Sequence, residues 1–155
     1  MQAAAVVARD PKLLAHLEGC AKGPFEGLVH RVVWSDRSPI RGSSRARGRW
    51  NDPEGGFEIL NTSLEADGAR AEFEAFWSLF EQRPDRPASS WRLRVGLKRV
   101  VELDFEDLER FGVLQSDYRG RDYGRTGAIS DVVSCLGCDG LIVPSARYDG
   151  RNLVV

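Results

Sequence analysis

A chain of 155 residues with 42% hydrophobic and 29% charged residues has the balance of one globular domain, long enough to bury a core, and disorder is excluded. The net charge of −1 sets up no global field toward nucleic acid or an anionic membrane. No apolar run approaches the roughly 18–20 residues a bilayer span needs, and three cysteines, an odd number, make no disulfide framework and point to a reducing cytoplasm.

Met1 to Ala8 lacks a positive leader and reads as a terminal strand or helix edge, not a signal peptide. Asp10-Pro11 predicts a short helix over Lys12–Glu18, with Asp10 as cap, Pro11 at the first helical position and Gly19 as the stop. Gly27 to Trp34 is a valine-rich strand. Its alternation puts Arg31 between Val29 and Val33 on one face, a charge among apolar residues. Ser35 to Asn51 has little periodicity and carries Arg37, Arg41, Arg45, Arg47 and Arg49 among Gly and Ser, so it is a basic loop. Phe57 to Thr62 predicts a strand, followed by a helix from about Ser63 to Glu81. Thr62-Ser63-Leu64-Glu65 has the form of a capping box, and Ala69, Phe73, Phe76, Trp77 and Phe80 form its buried stripe.

Gln82 to Ser90 reads as a loop. Trp91 to Leu97 alternates as a half-buried strand, and Val100 to Leu103 is a second strand after a tight turn. Asp104 caps a short helix to about Phe111, and Gly112 to Tyr123 is a polar loop. Gly124 to Leu136 is helical, with Ala128, Ile129, Val132, Val133 and Leu136 facing inward and Gly137 as the stop. Leu141 to Val143 and Leu153 to Val155 are the last strands. Strands and helices do not strictly alternate, which predicts a mixed α+β fold in one domain over residues 1–155, with 1–26 as an N-terminal extension and 27–155 as the core.

Several signals have plain structural readings. Cys135-Leu136-Gly137-Cys138 is a lone C-x-x-C at a helix end, whereas zinc wants roughly four ligands and a redox pair wants a helix start. Gly124-Arg125-Thr126-Gly127 opens a helix. His16 and His30 have no neighbouring pattern of a catalytic triad. The arginine loop suits either solvent or the oxygens of a small diphosphate. Trp50 fills the core or packs on a ligand ring. Glu72 stands at the border of the apolar stripe, between the directions of Phe76 and Leu79, where a carboxylate is costly without a partner or a task.

Five blocks in order resemble a known family: His30-Arg31-Val32-Val33, Gly48-Arg49-Trp50-Asn51, the helix bearing Glu72, Gly140-Leu141-Ile142-Val143-Pro144-Ser145-Ala146-Arg147, and Asn152-Leu153-Val154. Together they are similar to the RES-domain family, named for its Arg, Glu and Ser residues. The resemblance implies an ADP-ribosyltransferase-like fold of mixed sheets flanked by helices. It implies a toxin of a type II toxin–antitoxin system that breaks NAD+ at the nicotinamide–ribose bond, with NAD+ as substrate and no metal. It also implies an Xre-type DNA-binding antitoxin as partner, and no direct contact with nucleic acid or membrane. Arg31 and Arg49 match the family's two arginines, Glu72 its glutamate, Ser145 its serine and Asn152 its closing asparagine. Two positions depart from the pattern. Val32 stands where the family often has Tyr, and Asn61, a candidate binding residue, stands where it has an aromatic.

These residue types suit the implied reaction. Nicotinamide in NAD+ is a cationic leaving group that departs neutral, so no general acid is needed. The barrier is the oxocarbenium-like charge on the ribose, which a carboxylate stabilises electrostatically. Glu72 is the candidate for that role, Arg31 and Arg49 for the diphosphate, and Ser145 for a hydrogen bond to the ribose or the nicotinamide amide. Protein, phosphate and water all stand as acceptors of ADP-ribose. Two other readings differ in class: a non-catalytic NAD- or protein-binding module, and an RNA-directed toxin using the arginine loop, which the net charge disfavours.

Overall fold

The computed structural model describes residues 10–43, 48–52, 55–78, 82, 85–120 and 123–155. Two long antiparallel strands dominate it, β1 (Lys22–Trp34) and β3 (Ala88–Glu102), which pair from Lys22↔Val101 to Trp34↔Ala88 with an irregularity between Gly23 and Phe25. Both are longer than the alternation predicts. β1 begins at Lys22, not at Gly27, and β3 is one strand where two were expected. The expected turn near Lys98-Arg99 is absent for a non-local reason. The Asp139 carboxylate accepts from Lys98 N at 2.9 Å and Arg99 N at 2.8 Å, while Asp139 N donates to the Arg99 carbonyl.

Between them in sequence come β2 (Asn61–Ser63) and α2 (Ala66–Trp77), and after them α3 (Phe105–Arg110), α4 (Gln115–Arg119), α5 (Gly124–Cys135), β4 (Gly140–Pro144) and β5 (Arg151–Val154); α1 (Pro11–Gly19) precedes β1. The five strands close into a barrel in the order β1-β2-β5-β4-β3. Every pairing is antiparallel except β3 with β4, where α3, α4 and α5 supply the crossover a parallel pair needs. The chain is thus a mixed α+β protein.

The pleat separates two apolar clusters. Val29, Val100, Ile142 and Leu153 pack together on the inward face of the barrel, while Val101, Leu141, Val143 and Val154 belong to the cluster that includes Leu13 and Leu17 of α1 and Ile129, Val132 and Val133 of α5. β4 is covered on both faces, which explains its uninterrupted apolar run.

α1 begins as its sequence predicts: the Asp10 carboxylate accepts from Lys12 N, and Pro11 opens the helix. Asp104 caps α3 in a reciprocal capping box with Asp107. Gly137, at φ +75°, follows α5 in the left-handed region that favours glycine.

The start of α2 differs from expectation. Thr62 and Ser63 do not cap it. They lie in β2, and their hydroxyls donate across the sheet to the Leu153 carbonyl (2.7 Å) and to Asn152 Oδ1 (2.9 Å). α2 therefore begins at Ala66, with Glu65 at the cap position making no side-chain cap bond. The expected strand from Phe57 shrinks to Asn61–Ser63, with Ile59 bridging Ser43. The polar segment before α5 holds α4, because Tyr118 is fully buried beneath it. Of the expected α2 stripe, Ala69 is buried, Phe73 and Trp77 pack on Trp34, and Phe76 is 54% exposed. Phe80, Leu79, Glu81, Arg45, Arg47 and the Met1–Ala8 segment lie outside the described residues.

Candidate active site

A cavity of about 420 Å³ opens where β1, β2 and β5 meet α2 and the segment around Trp50. Arg31, Arg49, Asn61, Glu72 and Asn152 all line it, although they come from five separate stretches of the chain. Ser145 lies just past β4, buried behind the carboxylate and not among the lining residues.

Glu72 is held from the sheet side. Its Oε1 accepts from the Ser145 hydroxyl at 2.7 Å and from Asn152 Nδ2 at 3.0 Å. Asn152 is oriented in turn, because its Oδ1 accepts from the Ser63 hydroxyl at 2.9 Å. Ser145 Oγ also accepts from Arg147 N at 3.2 Å. These bonds fix the carboxylate by one oxygen and leave Oε2 without a hydrogen bond among the described residues. The register Ser63↔Asn152 and the turn after β4 make this possible, so the glutamate's support is a product of strand pairing.

Arg31 follows Val29 on the inward-facing side of β1, as the alternation predicts. Its Nη1 is buried with no hydrogen-bond partner among the described residues. Burial pulls its pKa below the ordinary arginine value, since a desolvated charge is disfavoured. Arg49 is set in the turn at 48–51, where Asn51 Oδ1 accepts from Gly48 N and Asn51 Nδ2 donates to the Ser43 carbonyl. The Arg49 guanidinium lies over two rings, 4.8 Å from the Tyr118 centroid and 5.0 Å from that of Tyr123. Nη2 donates to the Gly120 carbonyl at 3.3 Å, and Nε is buried without a partner among the described residues. Two guanidinium groups in one cavity wall thus carry buried, unanswered N–H donors, a costly arrangement that an anion between them would relieve.

Tyr118 couples the two sides of the site. Its ring supports Arg49, and its hydroxyl donates to the carbonyl of Pro144, the residue before Ser145. Burial pushes its phenol well above the ordinary value, and the Glu72 carboxylate adds to that, so it stays a protonated donor. Tyr118→Phe should keep the ring but leave a buried carbonyl unanswered, lowering stability by about 1–2 kcal/mol in urea unfolding. An unchanged midpoint would show that the bond contributes nothing.

Sequence reasoning missed Tyr123, Arg147, Phe73 and His30, which also line the cavity. Tyr123 sat in a segment read as a polar loop, and Arg147 stood inside a quoted block without a role. Trp50 is 4% exposed, packs against Tyr118 in the core, and is also among the residues lining the cavity. Cys135 is exposed and Cys138 half-buried. No group of His, Cys, Asp or Glu among the described residues has the arrangement of a metal site, and no helix among them is long and apolar enough to cross a membrane.

The model of the RES domain matches residues 27–155, which includes every strand but the first residues of β1 and all the polar groups around Glu72. The chain belongs to the RES domain family. Its fold is similar to that of a chain in the crystal structure of the M. tuberculosis MbcT-MbcA toxin-antitoxin complex, with a TM-score of 0.71 and 20% sequence identity over 96% of this chain and 83% of that one. Among curated proteins nothing matches. The RES domain's matched region begins five residues after β1 does, so α1 and the start of β1 lie outside it, although Leu13 and Leu17 are part of the same apolar cluster as α5.

Proposed function

We propose that this RES domain is the toxin of a toxin–antitoxin pair and that it cleaves NAD+ at the nicotinamide–ribose bond, passing ADP-ribose to an acceptor. The observation that carries this reading is the pairing of two buried guanidinium donors lacking acceptors with a carboxylate held by one oxygen, all around one cavity. A volume of about 420 Å³ falls within the range of small-molecule sites, roughly 300–1,000 Å³.

In this reading Arg31 and Arg49 take the diphosphate, so that binding energy far from the reacting bond orients the ribose. Glu72, pinned through Oε1 by Ser145 and Asn152, presents Oε2 to the ribose. As the bond to nicotinamide lengthens, its electron pair goes to the ring nitrogen and positive charge develops on the sugar beside the fixed carboxylate. Ser145 acts through Glu72 as a positioning residue. Asn61 lines the cavity on β2, where the family has an aromatic. The partner in this reading is an Xre-type antitoxin that covers the cavity.

Incubation of the purified protein with NAD+ should release nicotinamide in proportion to protein. Arms with buffer alone, with inorganic phosphate and with cell lysate assign the acceptor to water, phosphate or protein. No release in any arm, with tight NAD+ binding retained, would replace the enzyme by a binding module.

A further inference from the structure

Four arginines outside the cavity, Arg86, Arg110, Arg125 and Arg151, each meet a carboxylate, from Asp36, Glu106, Asp10 and Glu102 respectively. Arg31, Arg49 and Arg147 line the cavity, and none of them has a carboxylate partner among the described residues. Glu72 is the other charged lining group among those residues. With histidine counted neutral, three guanidinium groups and one carboxylate leave the wall a formal charge of +2. Arg147 and Arg49 come to the same place. Arg49 Nη2 donates to the Gly120 carbonyl at 3.3 Å, and Arg147 Nη1 donates to the Arg119 carbonyl at 2.9 Å. These are consecutive carbonyls at the end of α4, where helix geometry leaves acceptors open to cations. Carbonyls orient guanidinium groups without neutralising them, so two like charges stand on one stretch of wall. A bridging anion would remove their repulsion and answer their remaining donors. The backbone of Arg147 is also tied to the carboxylate. Ser145 Oγ donates to Glu72 Oε1 and accepts from Arg147 N, while Ser145 N donates to the Gly150 carbonyl at 2.8 Å and closes the turn that carries Arg147. One hydroxyl therefore sets the spacing between Glu72 and the Arg147 backbone.

We infer that Arg147 binds the diphosphate of the dinucleotide together with Arg49, as a third guanidinium in the site. The inference rests on the proposed NAD+ cleavage and adds a binding residue to it. A diphosphate diester carries two negative charges, which balance the formal charge of the wall. Its oxygens suit planar guanidinium forks, and Arg147 keeps donors for them because its bond to α4 occupies Nη1. The tie through Ser145 gives the contact a second effect. An anion seated on Arg147 is held in a fixed relation to Glu72, so that binding at the diphosphate helps to place the ribose beside the carboxylate.

Isothermal titration of Glu72→Gln protein keeps NAD+ intact. Adding Arg147→Gln should weaken NAD+ and ADP-ribose by the same factor, about 10–100-fold, because both carry the diphosphate. It should also flatten the fall of ADP-ribose affinity with salt, since one attractive charge is gone. Arg147→Lys keeps the charge and loses the fork, so it should recover the salt dependence and part of the affinity. The thermal midpoint without ligand should stay within a few degrees, because the bond to Arg119 is exposed. ADP-ribose affinity within about twofold of the Glu72→Gln protein overturns the assignment. So does weakened ADP-ribose binding with an unaltered salt dependence and a lowered midpoint, which marks a structural arginine. Weakened binding of inorganic phosphate alone, with ADP-ribose unchanged, also overturns it and gives Arg147 a free anion in place of the diphosphate. These three outcomes leave NAD+ cleavage standing as long as the parent releases nicotinamide. A parent that releases none, with NAD+ and ADP-ribose both failing to bind, removes the proposed function and this inference together.

Discussion

Glu72→Gln should reduce nicotinamide release by at least about 10²–10³-fold while leaving the fold and NAD+ affinity close to those of the parent. The substitution keeps the side chain's shape. A glutamine oxygen can still accept from Ser145 and Asn152 at the position of Oε1, so the positioning bonds persist. What disappears is the negative charge opposite the developing oxocarbenium, a stabilisation made only in the transition state. The loss should therefore fall on kcat, with KM nearly unchanged. Asn152→Ala and Ser145→Ala should give smaller losses in kcat, since each removes one of two bonds to a carboxylate that keeps its charge. Steady-state nicotinamide release with thermal unfolding in parallel separates these cases. A Glu72→Gln protein within tenfold of parental kcat would remove the carboxylate from the mechanism.

Arg31→Met should do two opposite things at once: raise the thermal midpoint of the free protein and weaken NAD+ binding by roughly 100-fold or more. The physical reason is that the guanidinium sits desolvated with Nη1 unanswered. An arginine whose folded pKa is depressed by burial costs stability at every pH below that pKa, which is the whole accessible range, because the folded chain must hold the charge that burial disfavours. Methionine fills similar space without the charge. The same charge becomes favourable once a diphosphate supplies the missing acceptor, worth about 1.5–3 kcal/mol for each charge-assisted bond lost. NAD+ should therefore raise the midpoint of the parent, in proportion to the logarithm of its concentration, and have little effect on Arg31→Met. Differential scanning fluorimetry across an NAD+ series tests both halves. A variant that is destabilised and still responds to NAD+ like the parent would mean that Arg31 has a structural partner and no ligand. Stability given up at a binding site is a common trade.

The legibility of the site in the sequence was uneven, and the reason is distance along the chain. Arg31 could be singled out locally, because a charge between Val29 and Val33 breaks a two-residue period. Glu72 could be singled out because it borders an apolar helix stripe. Tyr118 and Tyr123 could not. Their importance comes from a guanidinium about seventy residues earlier that lies over both rings, and nothing in a polar segment signals such a partner. Ser145 could be named by family resemblance alone. Its task of holding Glu72, and not lining the cavity, depends on the turn after β4.

The fold shows the same division. Short-range chemistry sufficed for α1, α3 and α5: Asp10 with Pro11, Asp104 with Asp107, and Gly137 act within a few residues of where they stand. The apolar run of β4 is likewise local. The joins between β2 and α2 and through the middle of β3 were decided by tertiary partners. Thr62 and Ser63 had the pattern of a helix cap, yet strand β5 offered their hydroxyls acceptors some ninety residues away, and those bonds drew them into the sheet. Asp139 did the same for the stretch expected to turn at Lys98-Arg99. By itself the sequence determined which residues are helix formers, which strands are buried, and which charges sit where charges are costly. Barrel closure decided the rest, because a hydrogen bond between strands depends on register, and register is set by pairings that no short window of sequence contains.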